Sequence, residues 1–151
     1  YEYFAKPSEV GLARPIHQDN YYWNLKNSNA LTMWIAIDRA TSKNGSVEYL
    51  IASHKKLYKH VPSFAPGSSQ KIKDIVNLKK KFKKKSFSLQ VGDCLIHHSL
   101  IIHGSRKNDS EHSRRGFTVQ LMPKNTKVDK NKFQMYQKSL KKQIKLRKNL
   151  N

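Results

Sequence analysis

A short apolar run at residues 31–38 constrains the fold more than any other stretch of the chain. The run is rich in strand-forming side chains, as expected of a sandwich strand that is covered on both faces. Further strand-like stretches follow along the chain, at residues 46–53, 86–90, 94–98 and 116–122. Short strands separated by turn signals predict a mainly β fold, a mostly antiparallel sandwich or barrel of the jelly-roll type.

The connections between these stretches carry three further signals. The Asn44-Gly45 pair is a tight-turn signal and predicts a hairpin-like pairing of the strands on either side of it. Residues 54–69 predict a long irregular connection, a feature that is often functional in compact domains. Within residues 128–150, apolar side chains recur at near-helical spacing with lysines between them, which predicts an amphipathic helix. We therefore expect a β core at residues 1–123 and a basic C-terminal helix or tail at residues 124–151.

The chain is strongly basic, with a formal net charge of +20. Such a charge ordinarily attracts phosphate or an anionic membrane. Much of the excess lies in the lysine run at residues 79–85 and in the tail after Pro123. Apart from Phe82, aromatic residues are not interleaved with the basic ones at stacking spacing, and the many lysines and asparagines suit a genome rich in A and T. We therefore favour a solvated basic loop at the lysine run and do not expect nucleic acid as a partner.

Composition also bears on the compartment. The single cysteine, Cys94, excludes an internal disulfide framework and a thiolate zinc cluster, and we expect it to be buried on a strand. No apolar run approaches the roughly 18 residues of a membrane span, and no signal peptide is visible, since no charged leader is followed by an apolar run. We expect a soluble, cytoplasmic protein, and because the chain starts at Tyr1 we expect part of the N-terminal region to be missing.

A candidate metal site begins at His17-Gln18-Asp19. Side chains alternate along an extended segment, so His17 and Asp19 point the same way, roughly 6.6 Å apart along the chain, and can close on one small cation. A second histidine, His103, would complete the set of two histidines and one carboxylate that is typical of non-haem Fe(II) oxygenases. Other histidines compete for that third position by composition alone: His54, His60, His97, His98 and His112. Since His97 and His98 would face opposite ways on a strand, we expect one of them to pack beside the site.

Taken together, these segments resemble the phytanoyl-CoA dioxygenase family of iron- and 2-oxoglutarate-dependent oxygenases. The matching pieces occur in the family's order and cover roughly residues 15–122: His17-Gln18-Asp19, the run 31–38, Asn44-Gly45-Ser46 to Ser53-His54-Lys55, Val91-Gly92-Asp93, and His103-Gly104-Ser105 with Asn108, Ser110 and Arg114-Arg115. The resemblance implies a double-stranded β-helix, a cupin-like jelly roll, with the metal near one open end. It also suggests an N-terminally truncated member of the family.

The resemblance further implies the cofactors and their ligands. Fe(II) would be bound by His17, Asp19 and His103. Arg114 would bind the distal carboxylate of the cosubstrate 2-oxoglutarate, since a guanidinium matches a carboxylate bidentately, and Arg115 is the alternative in register. Ser105 is similar to the family's hydroxyl donor to the same carboxylate, and Trp34 to an indole near the cosubstrate.

The function that follows from the resemblance is the hydroxylation of a small organic or acyl-CoA-type substrate by O2, with release of succinate and CO2. The resemblance implies no catalytic group beyond the metal site and leaves the substrate-binding residues and the oligomeric state open. Two alternatives come from other classes of protein: a non-catalytic jelly-roll binding module and a basic nucleic-acid-binding protein.

Overall fold

The computed structural model describes residues 1–65 and 68–148. Its strands, numbered in chain order, are β1 Glu2–Lys6, β2 Arg14–His17, β3 Leu31–Ala36, β4 Val47–Leu50, β5 His60–Pro62, β6 Gln70–Ile72, β7 Lys84–Ser86, β8 Cys94–His98, β9 Ile102–Ser105 and β10 Arg114–Leu121. Its α-helices are α1 Asp19–Trp23, α2 Ile75–Lys81 and α3 Lys130–Lys148, and one turn of 3-10 helix spans Ser53–Lys55.

Across the described residues, the strands form two four-stranded antiparallel sheets and a small ribbon. The first sheet has the order β1-β10-β3-β8, the second has the order β2-β9-β4-β7, and the ribbon pairs β5 with β6. The sheets face each other, because Val47 of the second packs against the buried cluster around Trp34 of the first. This arrangement confirms the predicted jelly roll.

The predicted strand at 31–38 lies inside the first sheet as β3. Thr32, Trp34 and Ala36 are buried on one of its faces, whereas the alternate side chains are only half-buried. Alternation of this kind places every second side chain of β3 towards the second sheet. One face of β3 therefore contributes to the hydrophobic core and to the wall of a cavity, which Thr32 and Trp34 line.

The hairpin predicted across Asn44-Gly45 is wrong. The tight turn exists, since Asn44 accepts a hydrogen bond from the backbone of Thr41 and donates one to Arg39, and Gly45 has φ +79°. However, β3 pairs with β10 and β8, while β4 pairs with β9 and β7. The turn carries the chain from one sheet to the other, because in a sandwich consecutive strands can lie in opposite layers.

The lysine run is not a loop. Its first half belongs to α2 and its end to β7, because Leu78 and Phe82 place their side chains on a buried cluster with Leu50, Ile72 and Ile102, leaving the lysines exposed. The strand predicted at 86–90 is also wrong, because the pairing of β7 with β4 ends at Ser86. Beyond Ser86, the predicted segment has an isolated β-bridge between Leu89 and Ala40.

Two smaller expectations also fail. The segment 54–69 is less irregular than predicted, since part of it forms β5. Cys94 lies on β8 as predicted but is exposed, because β8 is the edge strand of its sheet and this face of it points to solvent.

The predicted C-terminal helix is confirmed as α3, and it lies against the core. Asp129 caps its start by accepting hydrogen bonds from the backbone N–H groups of Asn131 and Lys132. Further along, Gln143 donates a hydrogen bond to the carbonyl of Ser63, and the ring of Tyr136 lies 5.9 Å from that of Tyr21. The division of the chain at residue 123 stays a prediction, and residues 149–151 of the predicted tail lie outside the described residues.

No helix within 1–65 or 68–148 combines the length and the apolar character needed to span a bilayer.

Gly116 of β10 is required by the packing of Trp34. A Cβ atom at this position would lie 2.2 Å from Cζ2 of the indole. We expect Gly116→Ala to lower the free energy of unfolding by about 2–3 kcal/mol, measured by urea denaturation, because the indole must leave its position. In the double variant Gly116→Ala/Trp34→Phe, the smaller ring relieves the clash, so the combined loss should be less than the sum of the single losses. A loss of unfolding free energy in the double variant equal to the sum of the two single losses would contradict a clash between position 116 and the indole of Trp34.

Candidate metal centre

Two histidines from neighbouring strands face each other at the β2 edge of the second sheet. His17 ends β2 and lies directly opposite His103 of β9, with ring centroids 4.4 Å apart. Asp19 follows β2 as the first residue of α1. Its Oδ1 atom lies 3.6 Å from Nε2 of His17 and 3.5 Å from Nε2 of His103. The structure thus brings the three predicted ligands together, with all their ligand atoms within 4.8 Å of one another.

Gln18 holds this segment in place from behind. Its backbone is extended, so its side chain points away from those of His17 and Asp19, and it is fully buried. The side-chain amide donates to the carbonyls of Lys56 and Leu100 at 2.9 and 2.5 Å and accepts the backbone N–H of Tyr58 at 2.7 Å. The backbone between the two candidate ligands is therefore fixed by contacts that do not involve a metal.

The hydrogen bonds of the ring nitrogens define the state of the two histidines. Nδ1 of His17 lies 2.7 Å from the carbonyl oxygen of Pro15, and Nδ1 of His103 lies 3.1 Å from that of Ile101. A carbonyl oxygen can only accept, so each Nδ1 carries the proton and each Nε2 keeps a lone pair that faces Asp19. Nε2 lone pairs are what a metal ion needs from histidine.

Charge in the site also suits a cation. Burial lowers the pKa of His103 to about 3, against the opposing effect of Asp19, so this imidazole is neutral at physiological pH. Burial alone would raise the pKa of Asp19, but the neighbouring imidazoles of His103, His17 and His97 outweigh it and hold that pKa well below its usual range. A neutral imidazole and an ionised carboxylate are the forms that bind metals.

The donor set fits a divalent first-row metal ion. Neighbouring ligands about 2.1 Å from an octahedral ion lie roughly 3 Å apart, so spacings of 3.5 and 3.6 Å need only a small contraction. Two imidazoles and one carboxylate can occupy one face of such an ion and leave the remaining positions for other ligands. The residues present therefore fit the Fe(II) that the sequence pattern implies.

These groups open on a cavity of about 750 Å³. All six side chains predicted from sequence line it: His17, Trp34, Asp19, His103, Ser105 and Arg114. A cavity of this size is typical of small-molecule sites.

Arg114, and not Arg115, faces this cavity. Arg114 is 3% exposed, Nη2 donates to the carbonyl of Gly45 at 2.8 Å, and Nε has no protein partner within the described structure. Burial lowers its pKa to about 10, so it stays charged at neutral pH. Arg115 points to the surface, where Nη2 and Nε pair with Asp38 at 2.8 Å each. A buried guanidinium with an unused donor is suited to a carboxylate ligand.

The other histidines occupy different places. The rings of His54 and His98 lie 5.7 Å apart, and His60 lies behind Gln18, where its Nε2 accepts the backbone N–H of that residue at 3.2 Å. His97 is the one that packs beside the site, with Nε2 3.4 Å from Oδ2 of Asp19.

Sequence reasoning missed Lys6, which lines the cavity beside Arg114. Its ammonium group donates to the carbonyls of Leu12 and Arg106, and the side chain is 6% exposed. Burial, aided by Arg114 and Arg14, lowers the pKa of Lys6 to about 8. The segment 1–14 has no clear period, so nothing in the sequence marked this lysine as buried.

Residues 1–116 match the family model described as phytanoyl-CoA dioxygenase (PhyH). A phytanoyl-CoA dioxygenase domain-containing protein 1 homolog of Caenorhabditis elegans is 29% identical over 134 residues, which cover 83% of this chain and 46% of that protein. The peroxisomal phytanoyl-CoA dioxygenase of Bos taurus is 28% identical over 126 residues, covering 80% of this chain and 37% of that protein. The chain thus spans less than half the length of these curated relatives.

Solved structures show the same fold. EctD from S. alaskensis, solved with 2-oxoglutarate and 5-hydroxyectoine, aligns with a TM-score of 0.70 and 15% identity over 84% of this chain and 44% of its own. The α-ketoglutarate-dependent carbocyclase SnoK aligns with a TM-score of 0.69 and 22% identity over 83% of this chain and 50% of its own.

His60 predicts a pH dependence of folding. Burial lowers its pKa from 6.5 to about 4, so the unfolded chain takes up this proton first and stability is lost as the pH falls from about 6.5 towards 4. We compare the metal-free proteins at about pH 7.5 and about pH 5. The free energy of unfolding should fall over this range by about 2 kcal/mol less in His60→Gln than in the wild type. Glutamine keeps an acceptor for the N–H of Gln18. His112→Gln, at an exposed histidine, is the control, and parallel profiles for wild type and His60→Gln would refute the assignment.

Proposed function

This chain belongs to the phytanoyl-CoA dioxygenase family, and on that premise we propose that it is an Fe(II)- and 2-oxoglutarate-dependent dioxygenase that hydroxylates a small organic or acyl-CoA-type substrate. The observation that carries the proposal is that the set His17, Asp19 and His103 and the buried guanidinium of Arg114 face one cavity. The proposed metal site and the proposed anion site thus line the same cavity.

His17, Asp19 and His103 would hold the iron. Arg114 would bind the distal carboxylate of 2-oxoglutarate through Nε, which is unpartnered, and through a guanidinium fixed by its bond to Gly45. The guanidinium carbon lies 5.3 Å from the ring of Trp34, so the indole keeps the plane of the fork in position. Ser105, on the cavity wall two residues after His103, would donate its hydroxyl to the same carboxylate.

When bound, iron and 2-oxoglutarate supply the oxidation: 2-oxoglutarate loses CO2 to become succinate, and the two atoms of O2 enter succinate and the new substrate hydroxyl. The chain itself binds and orients the reactants and excludes water. Asp19 and the two histidines remain ligands and need not transfer protons, because the histidines keep their Nδ1 protons bonded to backbone carbonyls. Arg114 fixes one end of the cosubstrate and so its direction in the cavity.

The substrate class rests on the walls of the cavity. Tyr22 and Trp23 supply aromatic surface, and Lys6 adds a second buried cation beside Arg114. An apolar wall with nearby positive charge suits an organic substrate that bears an anionic group, as an acyl thioester of coenzyme A does. The peroxisomal relative of Bos taurus is named for such a thioester.

Metal and cosubstrate binding test this proposal directly. Under anaerobic conditions, Fe(II) with 2-oxoglutarate should give a weak visible charge-transfer band in the wild-type protein. His17→Ala should abolish the band, because it removes one of the three ligands. His112→Ala, at an exposed histidine, should retain it. A wild-type protein that binds neither Fe(II) nor 2-oxoglutarate would instead indicate a non-catalytic binding module.

Arg114 and Arg115 provide a matched pair of variants. Arg114→Gln should weaken the binding of 2-oxoglutarate to the metal-loaded protein about 100-fold, as expected for losing a bidentate charge-assisted contact. Arg115→Gln removes the same group from the adjacent surface position and should change the affinity by less than about threefold. Isothermal titration measures both constants, with thermal unfolding as the check on folding. Equal effects of the two substitutions would exclude Arg114 as the carboxylate ligand.

A further inference from the structure

The carboxylate of Asp19 lies between two pairs of residues, one from each sheet. His17 and His103, paired across β2 and β9, approach its Oδ1. Thr32 and His97, which are directly opposite each other across β3 and β8, approach its Oδ2. Thr32 donates its hydroxyl at 2.7 Å, and Nε2 of His97 lies at 3.4 Å. The two oxygens of one carboxylate therefore have different partners.

The ring of His97 is held differently from the rings of the two candidate ligands. Its Nδ1 lies 3.1 Å from the hydroxyl of Tyr49, a group that can donate a proton, whereas Nδ1 of His17 and of His103 face carbonyl oxygens, which cannot. Because an ionised carboxylate only accepts, the contact with Asp19 places the proton of His97 on Nε2. Its Nδ1 then accepts a hydrogen bond from the hydroxyl group of Tyr49.

Tyr49 is suited to this donor role. It is 4% exposed, lies opposite His103 in the pairing of β4 with β9, and packs its ring 5.2 Å from that of His97. Burial, with smaller effects of Asp19 and Cys94, raises the pKa of the phenol, so it remains protonated. A buried phenol needs an acceptor, and Nδ1 of His97 lies within hydrogen-bond distance of it.

We propose that His97 is a positioning residue of the metal centre: with Thr32 it engages Oδ2 of Asp19, so that Oδ1 alone faces the ion. The inference rests on the proposed metal site. His97 is not a ligand itself, because its Nε2 carries a proton towards Asp19 and its lone pair faces Tyr49. The ion then takes one oxygen and two nitrogens from the chain, and its other positions remain open for cosubstrate and O2.

Three variants distinguish positioning from ligation and from packing. His97→Phe keeps a ring of similar bulk but removes the donor, and should weaken the binding of Co(II) or Mn(II) 10- to 100-fold, the usual range for an outer partner of a metal ligand. His97→Gln can place its amide N–H where Nε2 lies, and should bind within about threefold of wild type. His98→Phe makes the same change on the neighbouring residue and should also leave the affinity within about threefold.

The measurement is the dissociation constant for Co(II) and for Mn(II) without 2-oxoglutarate, with thermal unfolding of the metal-free proteins recorded alongside. Wild-type affinity in His97→Phe would show that His97 only packs, and a loss in His97→Gln as large as that in His97→Phe would show that it is a ligand; either result overturns the inference.

Should His97→Phe not fold, Thr32→Val removes the other donor to Oδ2 and is expected to weaken binding about 10-fold. No change in Thr32→Val would likewise overturn it. A wild-type protein that binds neither ion would refute the proposed metal site instead.

Discussion

One half-buried carboxylate depends on the correct register of both sheets. Asp19 keeps its negative charge among three imidazoles, two of them contributed by the second sheet and one by the first. The contacts come from residues that are directly opposite each other on neighbouring strands. A slip of one residue in either pairing would turn a contributing side chain to the other face of its sheet. The register of these strand pairs therefore also determines the geometry of the site.

Sequence reasoning succeeded where the chemistry of neighbouring residues and the local backbone geometry lead to the same prediction. The extended backbone at Gln18 places His17 and Asp19 on the same side, as the two-residue period of a strand requires. The same period separates Arg114, which faces the cavity, from Arg115, which faces solvent. The choice of His103 among the other histidines came from the family resemblance, because composition alone cannot say which distant strand lies beside β2.

Sequence reasoning failed where the residues that contact one another are far apart in the chain. Asn44-Gly45 marks a turn correctly, but no local signal tells whether the next strand joins the same sheet or the opposite one. The lysine run hid a helix because Ile75 and Leu78, two of the three apolar side chains that pack on the core here, precede the run, and the run itself contributes only Phe82. The environment of His97 arises from Tyr49 and Asp19, which are 48 and 78 residues away.

The amide of Gln18 has a consequence for the identity of the metal. Because Lys56, Tyr58 and Leu100 fix the backbone between two of the proposed ligands, the site is formed without an ion, and the chain has little freedom to adapt to one ion and reject another. For a given set of nitrogen and oxygen ligands, affinity rises from Fe(II) through Co(II) and Ni(II) to Cu(II), and Zn(II) also binds more tightly than Fe(II). If the site binds a metal as proposed, the supply of free metal ions would decide which ion occupies it, and an excess of zinc, nickel or copper would compete with iron.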